Sequence, residues 1–266
     1  NRERVEVYGL DYSPDDGSDM RQRVLKAFDV HVPLHQLSDA QAAAQIARLE
    51  IDVLVDLTGL TAGSRFGILP FRPALVQVSY LGYMGSSGLP GVDYVLADRF
   101  IFPPELQAHF TEKPLYLPRT YQVNDRSRQI GSTPSRVSQG LPDDAVVLCS
   151  FNNNYKITPK VFSVWMRILR RAPKARLWLL EDNPWARSNL LAHACAAGIS
   201  PERLHFAGRV PPAQYLARYR CADLFLDTSP YNAGTTASDA LWAGLPVLTC
   251  PGRSMVSRMA GSLVRA

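Results

Sequence analysis

The side chains best suited to chemistry fall in polar loops of the second half of the chain. In Leu224-Phe225-Leu226-Asp227-Thr228-Ser229-Pro230-Tyr231-Asn232-Ala233-Gly234-Thr235-Thr236 an apolar strand runs into a polar turn, and Ala237, Ala240, Leu241 and Trp242 continue it as a helix. Gly234 lets backbone approach a ligand with no Cβ in the way, and Thr235 and Thr236 place hydroxyls where a first helical turn has unpaired N–H groups. A helix start carries about half a positive charge, so a phosphate or diphosphate there needs few extra cations. An ordinary N-cap by Thr235 or Thr236 fits the same residues. Asp239, one turn further in, could bond ribose hydroxyls or simply complement the helix start. Lys156 is the lone cation of Asn152-Asn153-Asn154-Tyr155-Lys156. It could neutralise a diphosphate and stabilise it as a leaving group, or be a solvated surface lysine. Tyr215 and Tyr219, four apart on one helix face, offer a ring for stacking a base or for core packing. In the first half, Gly82, Gly85 and Gly88 permit close backbone approach to a sugar or phosphate.

Several other chemistries lack their residues. There is no Asp-x-Asp to hold a divalent metal on a sugar nucleotide, no Walker motif and no Gly-x-Gly-x-x-Gly after a strand. A metal-free site without a cofactor is expected. His31, His35, His109, His193 and His205 are scattered, with His205 placed in a short strand as a core or supporting residue. Cys149, Cys195, Cys221 and Cys250 show no C-x-x-C spacing and sit in apolar or helical contexts, as reduced, buried thiols of a cytoplasmic protein do. The net charge of +5 comes from dispersed arginines, which does not indicate a nucleic-acid surface. No apolar run approaches the ~20 residues of a membrane span, and the N-terminus has no basic-then-apolar signal.

The elements that must position these residues alternate between strand and helix. At 266 residues the chain suits two domains of roughly 100–150 residues each. In the first half, residues 5–10 are expected as a strand and 19–28 as a helix with Val24, Leu25 and Phe28 inward. Ser38 and Gln41 spell a capping box ahead of Ala42, Ile46 and Leu49. The β-branched run 51–57 has the pattern of a parallel strand buried on both faces, and further strands are expected at 75–81, 92–97 and 113–117. Residues 121–140, polar and rich in Ser, Arg, Gly and Pro, are expected as an interdomain linker. The second half predicts strands at 146–151, 176–180, 204–206, 224–226 and 247–249. Its helices are expected at 158 onward with Pro159 at the first position, at 184–198, at 214–221, after Gly234, and from about Ser254. Two such halves, 1–120 and 141–266, imply Rossmann-like α/β domains with ligands at strand carboxyl ends. That rule selects residues 152–156, 208–213 and 228–236 in the second half, and 58–61 and 82–88 in the first.

Read as blocks in order, these residues resemble the catalytic region of the O-GlcNAc transferases, the GT-B glycosyltransferases of family 41. The blocks are Ser13-Pro14-Asp15-Asp16-Gly17, Leu57-Thr58-Gly59 with Gly63 and Arg65, and Leu81-Gly82-Tyr83 with Gly85-Ser86-Ser87-Gly88. They continue with Phe151-Asn152-Asn153-Asn154-Tyr155-Lys156-Ile157, the run from Asp227 to Val247, and Pro251-Gly252 with Ser257-Arg258, covering essentially the whole chain. The resemblance is to a bacterial homologue. It implies two domains facing across a cleft and inverting, metal-independent transfer of GlcNAc from UDP-GlcNAc to protein Ser or Thr hydroxyls. On the donor nucleotide it puts Asn153, Tyr155 and Lys156, with Thr235 and Thr236 at the phosphates and Asp239 at the ribose. Backbone near Pro211 and Ala213 would meet the uracil, with Tyr215 and Arg218 beside it, and Gly59, Leu81 and Gly82 would approach the sugar. Three positions depart from the animal enzymes: Asn153 replaces a Gln, Tyr215 a stacking His, and Gly234 a His before the Thr pair, so phosphate contacts there are weaker or purely backbone. The resemblance also implies tetratricopeptide repeats and a catalytic His upstream and a closing helix beyond Ala266; the chain, opening Asn1-Arg2-Glu3, is expected to be an excised piece. A protein O-fucosyltransferase using GDP-fucose, or an inactive sugar-nucleotide-binding scaffold, are the alternatives.

Overall fold

The computed structural model describes residues 2–266. It divides into two compact units: Asn1–Leu96 with His109–Leu115, and Ala97–Ala108 with Tyr116–Ala266.

In the first unit β1 (Tyr8–Asp11) pairs in parallel with β2 (Val30–Pro33) as a small separate sheet. β2, only Val-His-Val-Pro, is too short to show a period, and the sequence did not announce it. Between them α1 (Asp19–Leu25) is capped by Ser18, whose Oγ accepts from the Arg21 amide at 3.1 Å. The expected inward face of α1 forms only in part: the helix stops before Phe28, Leu25 and Phe28 are half-buried, with the Phe28 ring over Gly9, and Val24 is exposed. α2 (Asp39–Arg48) has both bonds of the Ser38/Gln41 capping box and packs Ala42, Ala43 and Ile46 on Val32, Leu34 and Ile68.

A four-stranded sheet follows in the order β3 (Val53–Asp56), β4 (Val76–Ser79), β5 (Tyr94–Ala97), β6 (Lys113–Tyr116), with β3–β4 and β4–β5 parallel. β3 corrects one expectation. It is an edge strand buried on one face only: Leu54 packs with Leu69, Ala74 and Val92, while Val53 is 51% and Val55 41% exposed. A β-branched run is equally at home on a half-covered edge, which pattern alone does not distinguish.

The second unit holds a five-stranded parallel sheet in the order β11 (Val247–Leu248), β10 (Leu224–Leu226), β7 (Val146–Ser150), β8 (Ala175–Leu180), β9 (Leu204–Ala207). Alternate residues of the central strands feed two cores, because side chains along a strand point to opposite faces. Leu148, Leu177 and Leu179 meet Phe162, Trp165, Met166 and Leu169 of α3 (Pro159–Arg171) and Ala194 of α4 (Pro184–Ala196). Val147, Cys149, Trp178 and Leu180 meet Tyr219, which follows α5 (Pro212–Arg218), Ala237 and Ala240 of α6 (Thr235–Trp242), and Ala260 of α7 (Met259–Arg265). Continuous apolar strands buried on both faces are what this arrangement demands. Two of the four cysteines depart from expectation: Cys149 and Cys221 are buried, but Cys195 and Cys250 are exposed.

Residues 121–140 belong to the second unit and pack on it as ordered structure. Tyr121 N donates to Asp98 Oδ2 at 2.7 Å, Gly131 N to Ala213 O at 3.0 Å, and Arg136 to Cys221 O, Ala145 O and both Asp223 oxygens. Those contacts are polar and long-range, so they leave no apolar periodicity in the sequence.

The strand order fixes where a ligand can enter. From β7 the chain builds outward through β8 to β9, then returns through β10 to the other side of β7. The loops leaving the carboxyl ends of β7 and β10 therefore diverge, and the gap between them is the topological switch point of an open α/β sheet.

Candidate functional site

The two loops at that switch point are stitched by amide and hydroxyl side chains. Asn152, buried just past β7, donates from Nδ2 to Thr228 Oγ1 at 3.2 Å and accepts at Oδ1 from Thr236 Oγ1 at 2.6 Å. Thr228 Oγ1 in turn donates to Tyr231 O, and Asn232 Nδ2 to Thr228 O, both at 2.7 Å. The β7 loop, the β10 loop and the start of α6 are thus one network. Lys156 enters it from the 3-10 turn Asn154–Lys156: its Nζ donates to Asn232 O at 3.1 Å and lies 3.9 Å from the centroid of the Tyr231 ring. Burial lowers the Lys156 pKa, and the neighbouring Asp227 opposes the fall. Asp227, at the end of β10, accepts from the amides of Thr228 and Ala233 at 2.7 Å each and from Thr249 Oγ1 at 2.6 Å. Burial nevertheless pushes its carboxyl up to about 6.

The start of α6 settles one alternative. Its N-cap is Gly234, with no side-chain cap, so neither threonine is an ordinary capping residue. The first intrahelical bond is from Ser238 N to Gly234 O at 3.0 Å, which leaves the amides of Thr235, Thr236 and Ala237 ahead of it. Thr235 stands exposed, while Thr236 is tied to Asn152. A Cβ at Gly234 would come 3.3 Å from Tyr121 Oη and 3.5 Å from Met259 Sδ. A side chain there would require Tyr121 to shift by a few tenths of an ångström. Asn232 Oδ1 and Ser150 Oγ are buried without a hydrogen-bond partner, which proteins seldom leave uncompensated.

Around α5 the side chains are more committed than their sequence suggested. Pro211 O accepts from Tyr215 N at 2.9 Å and Ala213 O from Gly131 N at 3.0 Å, so each carbonyl already has one partner. Tyr215 lies edge-on to Tyr219 at 5.2 Å and tilted to Phe151 at 6.2 Å, with the two phenol oxygens 2.6 Å apart. Burial raises its pKa, and its ring packs on the core. Arg218 is buried, donates from Nη1 to Gly208 O at 2.6 Å, stands 5.9 Å over the Trp178 ring, and has a buried Nε without a partner. Burial lowers its pKa too. Asn153 is half-buried at the head of the Lys156 turn, and Tyr155 is 70% exposed. Asp239 is buried and paired with Arg128, whose Nη1 lies 2.5 Å from Asp239 Oδ1.

In the first unit, Gly59 and Gly82 need each other's loops. A Cβ at Gly82 would fall 2.3 Å from Thr58 O, and one at Gly59 2.5 Å from Tyr83 Cβ. Leu81 adopts a left-handed φ of 62°, and Asp56 holds the Gly59 amide at 2.6 Å. The following loop is anchored by buried Glu112, which accepts from Ser86 Oγ and from both the amide and the hydroxyl of Ser87.

Sequence reasoning passed over Asn152, Asp227, Asn232 and Arg128. The first three lie within the highlighted loops and carried a signal in their position after a strand. Arg128 carried none, since its partner is more than a hundred residues away. Among the described residues no three His, Cys, Asp or Glu side chains gather as a metal-binding set, and no helix is long and apolar enough to cross a membrane.

The family described as Glycosyl transferase family 41 matches residues 1–132 and 128–266. The chain is 35% identical over 272 aligned residues to the probable UDP-N-acetylglucosamine–peptide N-acetylglucosaminyltransferase SEC of Arabidopsis thaliana, covering 100% of this chain and 28% of that protein. It is 26% identical to the UDP-N-acetylglucosamine–peptide N-acetylglucosaminyltransferase of Caenorhabditis elegans, covering 100% of this chain and 33% of that one. It thus spans about a third or less of these relatives. Among solved structures, a mutant of the Thermobaculum terrenum O-GlcNAc transferase superimposes with a TM-score of 0.90 at 32% identity, over 98% of this chain and 49% of that chain. The Anabaena protein HepE, solved with UDP and glucose, shares the fold at a TM-score of 0.58 and 13% identity, over 98% of this chain and 93% of that one. The fold class is accordingly α/β with parallel sheets, of the GT-B kind.

Proposed function

The chain belongs to glycosyl transferase family 41, and from that premise we propose that it carries the donor-binding and transfer machinery of a protein O-GlcNAc transferase. The transfer would move GlcNAc from UDP-GlcNAc to Ser or Thr hydroxyls of acceptor proteins, with inversion and without a metal. The observation that carries this reading is the convergence, at the β7/β10 switch point, of an uncapped helix start and one half-buried lysine. Amides of a helix start hold a diphosphate, and a cation beside it stabilises the charge that grows as the leaving group departs.

In that reaction the acceptor oxygen attacks the anomeric carbon from the face opposite the diphosphate. The bond from that carbon to the phosphate oxygen breaks, UDP leaves with the electron pair, and the acceptor hydroxyl gives up its proton to solvent. Lys156 would meet the new negative charge, the Thr235 and Thr236 amides and the Thr235 hydroxyl the phosphates, and Asp239 the ribose. Asn153, Tyr155, Tyr215 and Arg218 would border the nucleotide, with backbone near Pro211 and Ala213 at the uracil. Upstream tetratricopeptide repeats are the expected means of gathering acceptors.

Isothermal titration with UDP and GDP tests the donor: UDP is expected to bind more tightly. Tighter GDP binding would overturn the reading in favour of a GDP-sugar enzyme. Transfer of radiolabelled GlcNAc to lysate protein tests the activity, and an inactive scaffold would transfer none.

A further inference from the structure

Arg128 reaches Asp239 from the segment 121–140. Its Nη1 lies 2.5 Å from Asp239 Oδ1, and the Asp239 side chain is 5% exposed. The pair is not required to hold the segment down. On either side of Arg128 the chain is already pinned, by Ser238 Oγ donating to Asn124 Oδ1 at 2.6 Å and by Gly131 N donating to Ala213 O at 3.0 Å. What the arginine does uniquely is meet a buried carboxylate, whose charged form burial penalises and whose other polar neighbour is the phenol of Tyr215. It also occupies one named oxygen. A guanidinium has five N–H donors in a rigid fork, of which Arg128 spends one on Asp239, and its side chain remains 27% exposed.

We propose that Arg128 is a positioning residue of the donor's nucleoside subsite: by donating to Asp239 Oδ1 it holds the carboxylate in one orientation as an acceptor for a ribose hydroxyl, so the site selects ribonucleoside over deoxyribonucleoside diphosphates. This rests on the donor reading above, in which Asp239 faces the ribose. A buried carboxylate with one oxygen bonded to a guanidinium keeps that orientation and its charge, whereas an unpaired one rotates and takes up a proton more readily, becoming a poorer acceptor.

The test is calorimetric titration of the wild-type protein, Arg128→Gln and Arg128→Lys with UDP, 2′-deoxy-UDP and 3′-deoxy-UDP. The wild type should prefer UDP to at least one deoxy analogue by about tenfold, as expected of a hydrogen bond to a charged group. In Arg128→Gln the UDP affinity should fall to that of the disfavoured analogue, whose own affinity should hardly change, and Arg128→Lys, which keeps the charge but on a shorter side chain of different reach, should lie between. Equal weakening of all three ligands, or no weakening, would overturn the proposal, because a merely structural arginine does not alter discrimination. Wild-type protein that binds UDP without discriminating overturns this inference alone. Wild-type protein that does not bind UDP overturns the donor reading beneath it.

Discussion

Lys156 Nζ sits 3.9 Å from the centroid of the Tyr231 ring while donating to Asn232 O at 3.1 Å, so its ammonium is held between a π face and a carbonyl before any ligand arrives. If this ammonium neutralises the leaving diphosphate, Lys156→Ala should lower transfer by about 100- to 1,000-fold. The melting temperature should hardly move, since the side chain makes one hydrogen bond to protein and is not part of either core. Steady-state transfer with labelled donor beside a thermal melt checks this. Near-wild-type rates would remove Lys156 from the reaction.

Tyr231 should matter through its ring. A cation–π contact is worth about 0.5–2 kcal/mol, so Tyr231→Leu should reduce turnover by roughly 3- to 30-fold through a looser Lys156. Tyr231→Phe should retain most of the wild-type rate. Equal losses in the two variants would point to the hydroxyl and against the ring.

Asp227 should imprint a slope on stability. Its folded pKa of about 6 lies above the ordinary 3.8, so the native state binds the proton more tightly than the unfolded chain does. The contribution is therefore complete below pH ~3.8 and lost as pH rises through about 6, and the difference corresponds to about 3 kcal/mol. Denaturant unfolding at pH 4.5, 5.5 and 7 should show this fall superimposed on the rest of the titration. Asp227→Asn, close in shape and able to accept from the amides of Thr228 and Ala233, should flatten it. An unchanged slope in the variant would assign it to other groups.

Glu112 should behave as the anchor of residues 86–87. Glu112→Ala leaves the Ser86 hydroxyl and the amide and hydroxyl of Ser87 without their acceptor, which should cost about 3 kcal/mol. Glu112→Gln keeps one acceptor oxygen and should cost less. Denaturant midpoints of the two variants give the comparison, and equal midpoints would refute the anchoring role.

Much of the fold was legible because it rests on local signals. The Ser38/Gln41 box, Pro159 after Thr158, and the apolar runs of β7, β8 and β10 each act within a few residues, and the structure places them as the pattern required. Less legible were features set by distant neighbours. Val53 and Val55 look like core until the sheet makes β3 an edge, and Val24, within α1, stands exposed.

The same division runs through the candidate site. By itself the sequence determined the strand, turn and helix that carry Gly234, Thr235 and Thr236, and the short loop that carries Lys156, because turn chemistry and hydrophobic period are properties of neighbouring residues. Only the tertiary structure decided that Gly234 is the uncapped N-cap, that Asn152 ties the two loops together, and that Arg128, from a stretch with the composition of a linker, lies against Asp239. Hydrogen bonds and ion pairs between segments dozens of residues apart have no period and no fixed spacing. Their partners become neighbours only once the strand order β11-β10-β7-β8-β9 has brought the loops to one end of one sheet.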